Sequence, residues 1–334
     1  MSLVTVITTF YNAEKTIEYA IESILSQTYR QVEYIIVDDG SDDGSLDVVK
    51  KFRDDRIIIL TPGRIGRVAA LNLALEKSKG EYICILDADD IALENRIEIQ
   101  LKAFKKHKEV SLIYSNAVLI DNNSNIIGKT SFPVDYDSII NSLYNLSPFP
   151  HSSVMFEKQS IIEIGGYNQR CEKSIDFNLY IELQLNSKKI IGISDPLISL
   201  RVSTNSWGKS DESAQQIFYG MLALANLYIY EKAGKNFMRS SDKEYEIFKS
   251  QFIKWFDLKS FKNRANAKKC FHTFEECLRE IRIIRAFNQL YKAFIYDPIF
   301  WSYKGVNFSY PNDLNKFLNF LEKEPNKLLK IIND

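Results

Sequence analysis

Short apolar strands alternate with amphipathic helices in the first third of the chain, and this alternation limits the fold more than any other feature. In the first helix, the apolar residues between Ile17 and Leu25 recur at helical spacing and form one face, and Asn12 is predicted to cap it. The predicted strands are Leu3–Thr9, Val32–Asp38, Ile57–Leu60, Tyr82–Leu86 and Val110–Ala117, and the further helices are Arg67–Lys77 and Asn95–Lys106. Such alternation predicts an α/β fold with a mainly parallel central sheet covered by helices on both faces.

Beyond this region the pattern changes twice along the 334 residues. Residues 118–210 are mixed, whereas the chain from about Asp211 onward has helical periodicity and many aromatic residues. We therefore predict an α/β domain over residues 1–208 and a helical C-terminal domain over residues 209–334.

Composition narrows the class of protein. The chain is 45% hydrophobic and 26% charged, which is typical of a globular protein, and it contains no apolar run of about 18 residues that would predict a membrane span. No signal peptide is recognisable, and the four cysteines form no CxxC pair. We expect a cytoplasmic protein, working at the inner face of the membrane if its acceptor is anchored there, with no zinc site and no nucleic-acid partner.

Carboxylates follow two of the predicted strands. Asp38 and Asp39 end the second strand, and Asp87 and Asp89 follow the fourth. Ligands of parallel α/β sheets bind at the carboxyl ends of the strands, where these acids would gather and repel one another unless a cation compensates them. Oxygen ligands suit Mg²⁺ or Mn²⁺, which would bridge the phosphates of a nucleotide.

The neighbouring acids have a simpler explanation. Asp42 and Asp43 follow Gly40 in a segment rich in turn-forming residues, and Asp90 precedes a predicted helix. We predict that Asp42 and Asp43 shape the loop and that Asp90 caps the helix.

Five blocks in register resemble those of family 2 glycosyltransferases over roughly residues 1–205. They are Val6-Ile-Thr-Thr-Phe-Tyr-Asn12, Ser26-Gln-Thr28, Val37-Asp-Asp-Gly-Ser-Asp42, Gly80-Glu-Tyr-Ile83 and Asp87-Ala-Asp-Asp90. The resemblance implies a GT-A fold, a nucleotide-sugar donor, a divalent metal and inversion at the anomeric carbon.

The same resemblance implies roles for individual residues at the donor site. Thr9 and Asp39 would contact the base, with Asp38 close to the nucleoside. Asp87 would lie near the ribose and the metal, and Asp89 would ligate the metal on the diphosphate. The segment Gly66-Arg-Val-Ala-Ala-Leu-Asn72 resembles the helix that crosses the donor site, which would bring Arg67 to the diphosphate.

Three further residues are implied by later blocks of the family. Asp176 opens a helix after Gly165-Gly-Tyr167 and is predicted to be the catalytic base, although Ile175 replaces the Glu that often precedes it. His151 resembles a residue that lines the sugar pocket. Arg201 begins a block that often reads Arg-x-His, in which Ser203 replaces the histidine here.

Two alternatives stay open at this point. A nucleotidyltransferase also places acids on an α/β sheet, but it usually opens with a glycine-rich basic loop, which Thr8–Asn12 is not. A non-catalytic sugar- or nucleotide-binding module would be favoured if Asp87, Asp89 or Asp176 were missing. A Rossmann dehydrogenase is disfavoured because no GxGxxG follows the first strand.

The predicted partners are a UDP-sugar donor and a saccharide or lipid-linked saccharide acceptor. Between Lys254 and Lys292, ten Lys and Arg stand against four Asp and Glu, and large rings such as Trp255 and Phe256 lie among them. This surface either packs on protein, within the chain or in a homodimer, or docks on anionic lipid.

Overall fold

The computed structural model describes residues 2–144, 149–202 and 210–258. Its first compact unit contains most of the described chain as far as Val202, and its second contains Glu172–Phe177 with residues 210–258. The segment Glu172–Phe177 lies inside the predicted α/β domain of residues 1–208, so the two units are not contiguous in sequence. The predicted boundary at residue 208 stays a prediction.

The first unit is built on a nine-stranded sheet. Its strands are β1 (Val4–Phe10), β2 (Val32–Asp38), β3 (Ile57–Leu60), β4 (Tyr82–Ile85), β5 (Ile91–Ala92), β6 (Val110–Ile120), β7 (Ile126–Lys129), β8 (Met155–Glu157) and β9 (Lys189–Arg201). The helices are α1 (Ile17–Leu25), α2 (Ser45–Lys51), α3 (Arg67–Lys77), α4 (Arg96–Lys106), α5 (Tyr136–Tyr144), α6 (Lys158–Glu163) and α7 (Ile175–Leu185), whose first residues belong to the second unit.

The strand order is β3-β2-β1-β4-β8-β6-β9-β5, with β7 paired to β6. The first four strands are parallel, as the alternation of strands and helices predicts. The short strand β8 pairs antiparallel with both β4 and β6, whereas β6 and β9 are parallel to each other. The prediction of a mainly parallel α/β sheet is confirmed.

The core explains why these segments form strands and helices. Residues of β1 and β2 such as Val4, Val6 and Tyr34 are fully buried, as a central parallel strand covered on both faces requires. The apolar face predicted for α1 is buried through Ile17 and Ile24. This packing aligns β1, β2 and β4 so that their carboxyl ends meet at one edge of the sheet.

The prediction that Asn12 caps α1 is wrong. The helix begins after Thr16, while Asn12 has a left-handed backbone conformation with φ of 55°. Its side chain instead hydrogen-bonds Asp42, donating to Oδ1 and accepting from the main-chain N–H. Asn12 therefore ties the loop after β1 to the loop after β2, a contact between segments far apart in sequence.

The second unit, where described, is helical. It contains α8 (Ser210–Ala233), a 3₁₀ turn at Phe237–Arg239 and α9 (Asp242–Leu258). Phe252, Trp255 and Phe256 are buried, with Phe252 and Phe256 against Phe218, so these rings do not form an exposed interfacial surface. The rest of the basic stretch, from residue 259 onward, lies outside the described residues. Among the described helices, none combines the length and apolar character needed to cross a bilayer.

Candidate active site

The carboxylates that end β2 are used to organise the adjacent loops. Asp39 is 4% exposed, and its Oδ1 accepts hydrogen bonds from the main-chain N–H groups of Ile65 and Gly66, both at 2.8 Å. Its Oδ2 lies 2.6 Å from Nη1 of Arg64. Asp38 is also buried and accepts the N–H of Ser41. Both acids are therefore provided with hydrogen-bond donors by the protein itself.

The loop that Asp39 holds, residues 61–66, joins β3 to α3. Gly63 and Gly66 have φ of 82° and 87°, in the left-handed region that disfavours other residues, although a Cβ would meet no neighbouring atom. The Arg64 guanidinium lies 3.6 Å from the centre of the Tyr11 ring. Thus the loop, the end of β2 and the loop after β1 form one continuous wall, at which the predicted base contact Thr9 lies beside Val37.

The acids after β4 have a different environment. The Asp87 carboxylate accepts a 2.6 Å hydrogen bond from Nη2 of Arg67, the first residue of α3. Its main-chain N–H donates to Ser152 Oγ at 2.8 Å. Burial alone would raise the pKa of Asp87, but the positive charge of Arg67 and the hydrogen bond from its guanidinium lower it below the usual value.

Asp89 and Asp90 experience the opposite effect. The pKa of Asp89 is raised, first by partial burial and then by the negative charge of Asp87. Asp89 as a residue is nevertheless exposed to solvent. Asp90 is buried, and burial together with the charges of Asp89 and Asp87 raises its pKa well above the usual value. A cation beside Asp89 would relieve this repulsion.

Asp90 is not the helix cap that we predict from sequence. The residue that precedes α4 is Asn95, and Asp90 lies before β5. Its Oδ1 accepts the main-chain N–H of Arg201 at 2.8 Å. Asp42 and Asp43 do shape their loop, because Asp43 accepts the N–H groups of Ser45 and Glu14 and Asp42 hydrogen-bonds Asn12.

Arg201 is predicted at the donor site. Its guanidinium donates hydrogen bonds to main-chain carbonyl oxygens and to a hydroxyl oxygen. Nε donates to the Asp89 carbonyl at 3.0 Å, and Nη1 donates to the Asp121 carbonyl at 2.8 Å and to Ser124 Oγ. Arg201 thus joins the segment after β4 to the turn between β6 and β7. These contacts fit a role in holding the Asp89 loop, and a direct contact with the donor stays a prediction.

His151 lies next to the Arg67 and Asp87 pair, and its role at the donor site stays a prediction. It is 5% exposed, in a 3₁₀ turn between Pro150 and Val154. Its Nδ1 is 3.4 Å from Arg67 Nη2, and its Nε2 is 2.9 Å from the Tyr167 hydroxyl. The structure therefore brings together Asp87, Arg67 and His151 in one hydrogen-bonded group.

Asp176 is the second residue of α7 and belongs to the second compact unit. Its role as catalytic base stays a prediction.

The acids after β4 fit a divalent cation that is shared with a ligand. Among the described residues, no three His, Cys, Asp or Glu side chains form a metal-binding group. Mg²⁺ and related cations commonly use one or two carboxylates and take their other ligands from phosphates and water. Asp89 and Asp87 would be the two carboxylates of such a site, and their role as metal ligands stays a prediction.

Sequence reasoning missed several residues at this site: Tyr11, Arg64, Asn72, Asp90, Ser152 and Tyr167. The spacing of residues along the chain predicts none of these contacts, because each residue meets a partner that is distant in sequence. Tyr11, Asn72 and Asp90 lie within segments that carry the family resemblance. Tyr167 follows the Gly165–Gly166 pair, whose φ values of 84° and 68° mark a sharp turn.

Comparison with known proteins agrees with this arrangement. The family described as "Glycosyl transferase family 2" matches residues 5–165. An uncharacterized glycosyltransferase of Methanocaldococcus jannaschii, MJ1057, is 33% identical over 207 residues, which cover 60% of this chain and 71% of that protein. The Escherichia coli enzyme UDP-Glc:alpha-D-GlcNAc-diphosphoundecaprenol beta-1,3-glucosyltransferase WfgD is 39% identical over 141 residues, covering 41% of this chain and 55% of the enzyme.

Two solved structures share the fold. Staphylococcus aureus TarS 1-349 in complex with UDP has a TM-score of 0.56 and 17% identity, covering 90% of this chain and 91% of that one. The mannosyltransferase PcManGT from Pyrobaculum calidifontis, in complex with GDP-Man and Mn²⁺, has a TM-score of 0.55 and 16% identity, covering 97% and 88%. The predicted GT-A fold is confirmed. The family match, the identity with MJ1057 and the acids at the shared sheet edge together establish that this chain belongs to family 2 of the glycosyltransferases.

Proposed function

We propose that this glycosyltransferase takes its sugar from a nucleoside diphosphate sugar, a UDP-sugar, and transfers it with inversion to a hydroxyl group of a saccharide acceptor. The observation that carries the proposal is the position of two groups of acids, one at the end of β2 and one after β4, on either side of β1. β2 and β4 both flank β1 in parallel, so their ends lie two strand spacings apart, about 10 Å. That distance suits a nucleoside at one end and a diphosphate at the other.

The side nearer β2 fits the nucleoside. The wall formed by Tyr11, Arg64 and the end of β2 offers an aromatic ring and a planar cation, groups that stack on or donate to a base. Asp39 contributes by fixing Arg64 and the loop, and Thr9 and Asp38 line the same edge. We propose that the base binds along this wall.

The side nearer β4 fits the diphosphate. Arg67 begins α3, so the main-chain N–H groups of that helix terminus and the guanidinium both favour an anion. Asp89 and Asp87 would hold Mn²⁺ or Mg²⁺, which when bound would neutralise charge on the departing diphosphate. Arg67 would then exchange its bond with Asp87 for one with a phosphate oxygen. His151 lies beside the same group and would border the sugar.

Inversion follows from a single displacement. The acceptor oxygen forms a bond to the anomeric carbon from the face opposite the nucleotide, and its proton passes to the carboxylate of Asp176. The bond between the anomeric carbon and the phosphate oxygen breaks, and its electron pair leaves with the nucleoside diphosphate. Asp176 lies in the first turn of α7 and follows the Gly165–Gly166 turn, the position that the family resemblance implies for the base.

The acceptor that we propose is a lipid-linked saccharide in surface polysaccharide synthesis. The E. coli relative is named for a diphosphoundecaprenol-linked acceptor, and this proposal extends that chemistry to the present chain. The basic stretch between Lys254 and Lys292 would draw the enzyme to anionic headgroups around such an acceptor. The alternative role of this basic stretch is to form a homodimer through the C-terminal region.

Metal-dependent nucleotide binding tests the proposed donor. Thermal unfolding is measured with UDP, GDP, ADP and CDP, each with Mn²⁺ and with EDTA, because a ligand of the native state raises the unfolding temperature. We expect UDP with Mn²⁺ to give the largest increase and EDTA to remove most of it. A larger increase with another nucleotide would exclude UDP as the donor base, and no increase with any of them would refute the proposed donor class.

A further inference from the structure

A chain of hydrogen bonds connects the turn at Gly165–Gly166 to the charged group at the donor site. Tyr167 follows these glycines, and its main chain is held twice by the side chain of Asn72 on α3. Tyr167 N–H donates to Asn72 Oδ1 at 2.9 Å, and Asn72 Nδ2 donates to the Tyr167 carbonyl at 2.8 Å. The main-chain position of Tyr167 is therefore fixed relative to α3, the helix that also carries Arg67.

Gly166 is required for this close approach. A Cβ at this position would lie 2.8 Å from Asn72 Oδ1, and the left-handed φ of 68° would strain any other residue. Glycine at position 166 thus allows the Tyr167 main chain to hydrogen-bond the Asn72 side chain directly.

From this anchored backbone, the Tyr167 side chain reaches His151. Tyr167 is 2% exposed, its hydroxyl lies 2.9 Å from His151 Nε2, and the two rings meet edge to face at 5.6 Å. On its other side, His151 Nδ1 lies 3.4 Å from Arg67 Nη2, the same nitrogen that donates to Asp87. One terminal guanidinium nitrogen carries two hydrogens, so it can serve both acceptors.

The chemistry of the groups determines the tautomer of His151. A guanidinium donates hydrogen bonds and does not accept them, so Nδ1 must be the acceptor and carry no proton. In the neutral ring the proton is then on Nε2, which donates to the oxygen of Tyr167. The Tyr167 hydroxyl can accept this proton, so its contact fits the tautomer that Arg67 requires and holds the ring with Nδ1 toward Arg67.

We propose that Tyr167 is a positioning residue of the donor site, which orients the His151 ring so that its Nδ1 meets and directs Arg67. Arg67 benefits from such direction because its side chain is 48% exposed, so packing alone holds the guanidinium weakly. The contribution to donor binding rests on the proposed function, whereas the tautomer of His151 does not.

The first experiment therefore needs no ligand. The chain has three histidines, His107, His151 and His272, so ¹⁵N-histidine labelling gives few signals, and those absent from His151→Ala belong to His151. We expect long-range ¹H–¹⁵N spectra to show the Nε2–H tautomer in the wild type. In Tyr167→Phe we expect a mixture of tautomers, because a ring that Tyr167 no longer orients loses its contact with Arg67. An unchanged tautomer in Tyr167→Phe would overturn the proposal.

Tyr136→Phe is the matched control. It also removes one tyrosine hydroxyl from the first unit, because Tyr136 donates to Gln184 Oε1 at 2.8 Å away from the donor site. The proposal expects His151 signals identical to those of the wild type in this variant. An equal change in Tyr136→Phe and Tyr167→Phe would show a general structural effect and contradict it.

The second experiment is a double-mutant cycle on the affinity for UDP with Mn²⁺. Tyr167→Phe should weaken binding about three- to tenfold in the wild-type background, which corresponds to the loss of one hydrogen bond. It should cause no further loss in His151→Ala, because the residue through which it acts is gone. Equal losses in both backgrounds would overturn the proposal. If the wild type binds no nucleoside diphosphate, the proposed function fails, and the spectra still decide the role of Tyr167.

Discussion

The acids after β2 and the acids after β4 occupy equivalent positions at one sheet edge, yet their surroundings are opposite. Asp39 receives two main-chain N–H groups and a guanidinium, and Asp38 receives the N–H of Ser41. After β4, Asp89 is exposed to solvent and lies beside two other carboxyl groups, those of Asp87 and Asp90.

The contrast shows how one residue type serves two purposes. Acids supplied with donors by the protein stabilise the loops around them, since a buried acceptor that keeps its partners favours the folded state. Acids left to repel one another store an unfavourable interaction that a cation relieves on binding. We therefore expect substitutions in the first group to affect stability and substitutions in the second to affect metal-dependent function.

The largest effect is expected for Asp89→Asn. Loss of the metal-binding carboxylate should abolish the effect of Mn²⁺ on UDP binding and lower kcat/KM about 10⁴-fold, because a bound metal contributes several kcal/mol to the transition state. Calorimetric titration and transfer assays measure both. Asp42→Asn, the same change at another exposed acid of the sheet edge, should behave as the wild type. Retained Mn²⁺ dependence in Asp89→Asn would exclude Asp89 as the ligand.

Asp176→Asn should separate chemistry from binding. Removal of a general base lowers kcat by about 10³-fold, within the usual range, while both strand-end acid groups remain to bind the donor. The measurements are kcat with a confirmed acceptor and the dissociation constant of UDP with Mn²⁺. A kcat near that of the wild type would mean that another group accepts the proton.

Asp39→Asn should show a stability effect of about 2 to 3 kcal/mol. The amide nitrogen would face Arg64 in place of a carboxylate oxygen, and hydrogen bonds to charged groups typically contribute this much. Urea unfolding in EDTA measures the change, and UDP affinity should fall with it because the loop at residues 61–66 is loosened. Equal stability of Asp39→Asn and Asp42→Asn would contradict the structural role given to Asp39.

The smallest effect, and one of opposite sign, is expected for Asp90→Asn. Because the pKa of Asp90 is raised from its usual value of 3.8, the folded state holds a proton that the unfolded state has lost. The stability gained from that proton is complete below pH 3.8 and is lost as the pH rises through the folded-state pKa. Asp90→Asn, measured in EDTA, should therefore lose less stability than the wild type as the pH rises toward neutral. At neutral pH the variant should be more stable than the wild type by less than about 2 kcal/mol.

The pH dependence of urea unfolding tests this expectation directly. In Asp90→Asn the main-chain N–H of Arg201 can still donate to the side-chain amide oxygen, so the variant keeps the contact that Asp90 makes with β9. A stability profile parallel to that of the wild type would show that Asp90 is not the group that titrates.

The sequence by itself determined the sheet and its acidic edge. Apolar period and strand length identify β1 to β4 together with α1 and α3, because a strand buried on both faces must be apolar along its length, whereas α2 is not predicted. Parallel order then places the residues that follow β2 and β4 at the same edge. The site's location follows from local pattern and topology, and the family resemblance adds the chemistry.

Only the tertiary structure decided what each acid does. Asp39 and Asp89 follow their strands alike, and nothing local distinguishes an acid that receives N–H groups from one that faces another carboxylate. The same limit explains Asn12, Asp90 and Tyr167, whose partners Asp42, Arg201 and His151 lie 30, 111 and 16 residues away. Hydrogen-bond partners and local charge depend on which loops the fold brings together. The spacing of residues along the chain does not predict which loops those are.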